Sequence, residues 1–284
     1  MADQPTAARG LAAATAVARA SSVACDDAVV LAAGSNTLVH LRPAPVVARV
    51  MTATAVLHAD VQRWLTREIA VGGFLGDRGL AVSPSDLLAP GPHERDGMWM
   101  TFWRFVEHDP SQPPDAHEIG SSLRELHDAL AGFAGELGPL REIRDWLDEL
   151  LGELRPSPKL TAGDRDLLRS RLRELAPAVF EGSLPVQAIH GDASMSNLLR
   201  TNGGLLWNDL EDVCVGPVHW DLAGLVLQAR VHGRGEDFVM RFLDAYGGLE
   251  VEALSDFIAA HRLYAAVWEA FTVQRDAGRS PRLI

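Results

Sequence analysis

Residues 188–222 read AIHGDASMSNLLRTNGGLLWNDLEDVCVGPVHWDL. His190, Asp192 and Asn197 form a His-x-Asp-x-x-x-x-Asn cluster, and Asp209, Glu211 and Asp212 follow as an acidic group. The apolar run Val186–Ile189 leads into the first cluster, and Asn197-Leu198-Leu199 leads out. Polar side chains on a loop braced by buried strands are where reactive groups usually sit. The turn Asn202-Gly203-Gly204 before Leu205-Leu206-Trp207 predicts a hairpin whose second strand delivers Asp209 to the same place. Phosphoryl transfer needs a carboxylate to accept a proton, and an amide and a second carboxylate for a magnesium ion. In that reading Asp192 accepts the proton of a hydroxyl, and Asn197 and Asp209 ligate Mg2+ bridging the phosphates. His190 braces the loop by hydrogen bonds rather than carrying protons.

Upstream, short β-prone runs come first. Ala28–Ala33, Thr37–Leu41 and Val46–Met51 read as three antiparallel strands. Gly34-Ser35-Asn36 breaks the first from the second. Its backbone N–H groups suit phosphate oxygens, although one glycine without a G-x-G-x-x-G pattern equally makes an ordinary hairpin turn. Arg49 sits among Val46, Val47 and Val50, so it must reach solvent or find an anion. From Ala59 to Arg78 the period becomes helical, with Val61, Trp64, Leu65, Ile69 and Phe74 near one face. Glu68 lies beside that stripe, where a carboxylate is costly unless paired, and Arg49 is its plausible partner. A strand cation paired with a helix carboxylate is how protein kinases orient nucleotide phosphates; a solvated helix residue is the plainer reading of Glu68. Met98–Val106 is an aromatic β-prone run, stopped by DPSQPPD at 109–115. This marks a boundary between a smaller β-rich lobe, 1–106, and a mostly helical lobe, 107–284. A nucleotide base fits such a crevice, against backbone groups near Arg104, Phe105 and Val106.

Beyond it, Ile119, Leu123, Leu126, Leu130 and Phe133 define an amphipathic helix with His127 on its polar edge, read as a structural residue. Further helices are expected at 141–154, 164–175, 220–231, 237–246 and 251–275.

The two clusters, followed by Trp220-Asp221-Leu222-Ala223, resemble the aminoglycoside phosphotransferase and choline kinase-like family, which is similar in fold to protein kinases. The resemblance runs in order over about residues 30–225. It implies a two-lobed α+β fold with a small antiparallel-sheet lobe, and ATP or GTP as phosphate donor with Mg2+. It implies Asp192 as catalytic base, Asn197 and Asp209 as metal ligands, and Asp221 as an anchor of the loop, with His190 and Glu211 in support. It also places Ser35, Asn36 and Thr37 in a nucleotide-positioning loop, with Arg49 as the strand cation and Glu68 as its carboxylate. Two departures stand out. Many relatives have lysine where this chain has Arg49, and a hydrophobic residue where it has Asn208; arginine keeps the charge but changes the geometry.

Composition narrows the setting. At 284 residues with 47% apolar and 23% charged side chains, the chain is long enough for one two-lobed unit or two domains with a real core. A net charge of −12 argues against nucleic acid or an anionic membrane as partner, and is compatible with a cationic ligand. Two cysteines, Cys25 and Cys214, make neither a disulfide framework nor a zinc site, which suits a reducing cytoplasm. The Ala-rich start, 7–20, carries Arg9 and Arg19 and reads as a short amphipathic helix, not a signal peptide. No apolar run reaches membrane-spanning length. A monomer and a homodimer fit equally.

The leading expectation is an O-phosphotransferase acting on a small-molecule hydroxyl. Candidate acceptors are an aminoglycoside-type antibiotic, which would make the enzyme a resistance factor, or a sugar, an amino alcohol or homoserine. A non-catalytic nucleotide-binding regulator would need no proton acceptor such as Asp192. A metal-dependent hydrolase would need further ligands.

Overall fold

A computed structural model describes residues 4–34, 36–52, 60–156 and 160–278. Its fold is α+β, in two compact units. The first comprises Met1–Pro113, Phe133–Glu136 and Asn197–Asp212, and the second holds the rest. No helix among the described residues is long and apolar enough to cross a membrane.

The first unit is built on a five-stranded sheet. It contains β1 (Val29–Ala33), β2 (Asn36–His40), β3 (Val46–Met51), β4 (His93–Arg95) and β5 (Met98–Arg104), with antiparallel neighbours in the order β1-β2-β3-β5-β4. Alternation along β3 explains its two faces. Val46, Ala48 and Val50 join Val39, Met100 and Phe102 in a core closed by Ala13, Ala14 and Ala18 of α1 (Gln4–Ala20). Arg49 is offset by one from those positions and turns to the other face. There α2 (Val61–Gly76) buries Trp64, Leu65 and Glu68. The α2 backbone comes so close to β5 that a Cβ at Gly72 would meet the Trp103 ring at 2.4 Å. The hairpin β7 (Leu198–Thr201) and β8 (Gly204–Trp207) belongs to the same unit. It is tied to the chain after α2 by Trp207 N–H to Leu80 C=O and Val82 N–H to Trp207 C=O, each 2.9 Å. Phe133, placed on a helix by its spacing, lies past that helix's end and packs edge-on against Phe74.

The second unit is helical. It contains α3 (Ala116–Leu130), α4 (Arg141–Glu153), α5 (Ala162–Val179), α6 (His219–Val231), α7 (Glu236–Tyr246) and α8 (Ser255–Gly278). Asp115 and Glu118 form a capping box at the start of α3, as Thr161 and Asp164 do for α5. The α5 helix continues beyond the expected end at residue 175 through Pro177. The lead-in run becomes β6 (Gln187–Ile189), paired antiparallel with β9 (Cys214–Gly216), a strand too short to be read from its sequence.

Candidate active site

Arg49 is the hub of the site in the first unit. It is 5% exposed, and its Nη1 donates to Glu68 Oε2 at 3.2 Å while Nη2 donates to Asp209 Oδ1 at 3.0 Å and also meets Glu211. Asn36 shares that sheet face, and its amide oxygen, oriented toward the guanidinium, accepts from Nη2 at 2.6 Å. A guanidinium is a planar fork with five donors, so one arginine can gather several carboxylates where an ammonium would act as a point charge.

The surroundings are rich in buried acid. Burial lifts Glu68 to about 7 and Asp212 to about 6, with Asp209 adding repulsion and Arg49 opposing in both cases. Burial likewise pushes Glu211 well up. Arg49 itself is held firmly charged: burial opposes its charge, but Glu211, Glu68 and Asp209 outweigh burial. The second cation, Arg67, is spent on the Glu211 carbonyl at 3.1 Å. Asp209 stands at φ 59, a left-handed conformation that aspartate tolerates better than most residues. Its side chain is a third exposed, unlike those of Glu68 and Glu211.

Asn197 and Asp209 are brought beside one another by the hairpin, since Asn208 N–H donates to the Asn197 carbonyl at 3.0 Å. No group of three or more His, Cys, Asp and Glu side chains among the described residues is arranged as a metal centre. Magnesium does not need one, because it keeps waters and takes phosphate oxygens alongside one or two protein ligands. Four carboxylates (Glu68, Asp209, Glu211, Asp212) facing two arginines leave the negative excess that a divalent cation neutralises. Asn197 and Asp209 therefore fit Mg2+.

The remaining nucleotide-side expectations are scattered. Ser35 lies outside the described residues. Thr37 is turned to the α1 face and buried, with Gly10 of α1 packed near it. Arg104 is exposed and pairs with Asp86 at 2.8 Å. Phe105 stacks on His40 at 3.8 Å between centroids, its N–H donating to Pro45, and Val106 follows it half-buried.

In the second unit the loop 190–196 carries an exposed Asp192 on a buried frame. Gly191 stands at φ 84, where a side chain would be strained. Its N–H donates to Asp221 Oδ1 at 2.9 Å, and the His190 N–H donates to Asp221 Oδ2 at 2.7 Å. The Gly191 carbonyl accepts from Trp220 Nε1 at 2.7 Å, so two consecutive residues of α6 hold Gly191 at both its N–H and its C=O. Met195 N–H donates to Gln228 Oε1 further along α6 at 3.0 Å. His190 is buried, and its Nδ1 accepts from the Asp192 N–H at 3.4 Å, a bracing contact.

One expectation fails here. His127 is not on a polar edge; it is 0% exposed, with Nε2 at 2.8 Å from Asp221 Oδ2 and Nδ1 at 2.8 Å from the Tyr246 hydroxyl. Helical period alone cannot tell an edge from a core position when a buried partner waits on a neighbouring helix. The sequence reading also treats Tyr246 only as a helix end and does not single out His261. The latter donates from Nε2 to the Trp220 carbonyl at 2.9 Å and packs its ring at a tilt against that of Trp220.

The sequence pattern of the phosphotransferase enzyme family matches residues 38–264. The chain belongs to the phosphotransferase enzyme family. It is an enzyme that transfers a phosphoryl group to a hydroxyl. Solved structures share the kinase-like fold at low identity. A choline/ethanolamine kinase family protein from Mesorhizobium loti is 16% identical over 90% of this chain and 83% of its own, with a TM-score of 0.62. A GDP complex of aminoglycoside 2′-phosphotransferase-IIIa is 19% identical over 94% and 92%, with a TM-score of 0.61. Amicoumacin kinase hAmiN in complex with AMP-PNP, Ca2+ and Ami is 12% identical over 91% and 83%, with a TM-score of 0.65. None of the curated proteins matches the chain.

Proposed function

We propose that this phosphotransferase moves the γ-phosphate of ATP or GTP to the hydroxyl of a small molecule, with Asp192 as the proton acceptor. Asn197 and Asp209 would hold Mg2+, which would neutralise charge on the phosphates. Arg49, Glu68 and Asn36 shape the phosphate end of the nucleotide site, with Arg104, Phe105 and Val106 beside the base. Asp192 presents its carboxylate to solvent on a loop whose backbone is gripped from α6, and so keeps a fixed aim toward an incoming hydroxyl. The cytoplasm, where ATP and GTP are abundant, suits the reading.

One observation carries it. A partly exposed Asp209 at positive φ, beside Asn197, faces a buried carboxylate excess that a cation relieves. The acceptor follows less directly. An aminoglycoside, an amino alcohol, a sugar and homoserine all offer hydroxyls.

The test is release of ADP or GDP from MgATP or MgGTP across that panel. Asp192→Asn is expected to lower kcat by about 10^2–10^4-fold with nucleotide binding intact. Asp209→Asn is expected to abolish the Mg2+-dependent part of nucleotide binding by calorimetry. Full turnover in Asp192→Asn would remove the base assignment, and no release with any acceptor would favour a nucleotide-binding regulator.

A further inference from the structure

The loop that carries Asp192 is steered from further away than its own anchor. Asp221 is 1% exposed and accepts three hydrogen bonds, from the His190 and Gly191 backbone and from His127 Nε2. Its carboxyl is held below the usual carboxylate range: burial is the largest influence and opposes the charge, but the His127 hydrogen bond, the neighbouring His127 and His190 rings and the His190 N–H together outweigh it. An ionised carboxylate only accepts, so His127 Nε2 must carry a proton. The other nitrogen, Nδ1, faces the Tyr246 hydroxyl at 2.8 Å. The bond made at one ring nitrogen sets the state of the other. Tyr246 thereby holds the orientation of the ring that meets Asp221.

We propose that Tyr246 and His127 are positioning residues for phosphoryl transfer, acting through Asp221 on the 190–191 peptide and so on the aim of Asp192. The proposal rests on Asp192 being the proton acceptor. Both residues come from helices that take no part in the nucleotide site proposed in the first unit: His127 from α3 and Tyr246 from α7. The 127–187 link strengthens the coupling, since Gln187 Nε2, one strand before the loop, donates to the His127 carbonyl at 3.2 Å. A displacement of about 1 Å at a reacting group can cost on the order of a hundredfold in rate. The device is a lever, and its effect should appear in kcat.

The experiment compares Tyr246→Phe, His127→Leu, His127→Gln and Asp192→Asn in the full chain. Rates are taken with MgATP and MgGTP, with kanamycin, choline, homoserine and water as acceptors. Supporting one another through hydrogen bonds, such residues typically change activity by about 10–100-fold when removed. Tyr246→Phe is expected to lower kcat about tenfold and His127→Leu about a hundredfold, each with the nucleotide KM within about twofold of the parent. His127→Gln, which can still present an N–H to Asp221, should recover most of that loss. The 15N signals of the His127 ring should shift at Nδ1 in Tyr246→Phe while the protein stays folded. If His127→Leu does not fold, Tyr246→Phe decides. Unchanged kcat in Tyr246→Phe, and in His127→Leu where it folds, with an inactive Asp192→Asn overturns the positioning role alone. Equal losses in kcat and nucleotide affinity overturn it in favour of a purely structural role. An active Asp192→Asn, or no turnover by the parent, removes the base assignment and this proposal with it.

Discussion

Strand alternation turns Arg49 and Asn36 to one face of the sheet and Thr37 to the other, and this one-residue offset separates a site residue from a packing residue. The pairing of Arg49 with Glu68 was legible from two charges in apolar runs, because a lone buried charge is too costly to leave unpaired. Glu211, Asp209 and Asn36 as further partners of the same guanidinium were not, since nothing local in a strand says how many acceptors a fork will collect. His261 is the clearest residue-scale case of hidden physics. Burial lowers its pKa to about 4, so it is neutral in the folded protein. The unfolded chain binds a proton there near the ordinary value of about 6.5. Between those values the unfolded state holds more protons, so stability is fully present above pH 6.5 and is lost as pH falls toward 4. The loss is at most about 3 kcal/mol. His261→Gln keeps a donor for the Trp220 carbonyl but cannot titrate. Denaturant unfolding at pH 7.5 and pH 5 should therefore show a smaller difference in the variant than in the parent; an equal difference would assign the proton elsewhere.

Helices show where local period suffices and where it stops. The stripe of Ile119, Leu123, Leu126 and Leu130 predicts α3 correctly, and the capping box accounts for its start. What period does not show is how near the next helix comes. A Cβ at Gly120 would lie 2.4 Å from the Phe242 carbonyl and 3.0 Å from the Tyr246 nitrogen of α7, backbone atoms that cannot swing away. Gly120→Ala should destabilise the protein by about 1–3 kcal/mol through overpacking. Gly73 is the control: it lies in α2 with nothing within 4 Å of an added Cβ. Gly73→Ala should stabilise by about 0.5–1 kcal/mol through helix propensity. Opposite signs in chemical unfolding would support the packing; the same sign for both would contradict it. The aromatic run ending near Arg104 was legible as β5, because aromatic and β-branched residues fit a half-buried pleat. Three-residue strands such as β4 and β9 were not, since their partners rather than their own residues create them.

At the level of the whole chain, both cysteines are buried thiols outside any disulfide, Cys25 among the sheet core and Cys214 in β9. Thiol titration should accordingly be slow in the native protein, and two thiols per chain should react once guanidinium is added. Rapid reaction without denaturant would argue against these burials. Bound nucleotide offers a second global readout: at 100 times its Kd, Mg2+-nucleotide should add about 2.7 kcal/mol to stability. The sequence by itself determined the order of the elements, the α+β class and the family motifs. These are properties of local period and of residue type at fixed spacing. Tertiary structure alone decided the partners. Arg49 meets Asp209 across 160 positions of chain, and His127 reaches Asp221 and Tyr246 across 94 and 119. Such pairs arise when packing brings distant backbone together, and no local pattern encodes which buried donor will find which buried acceptor.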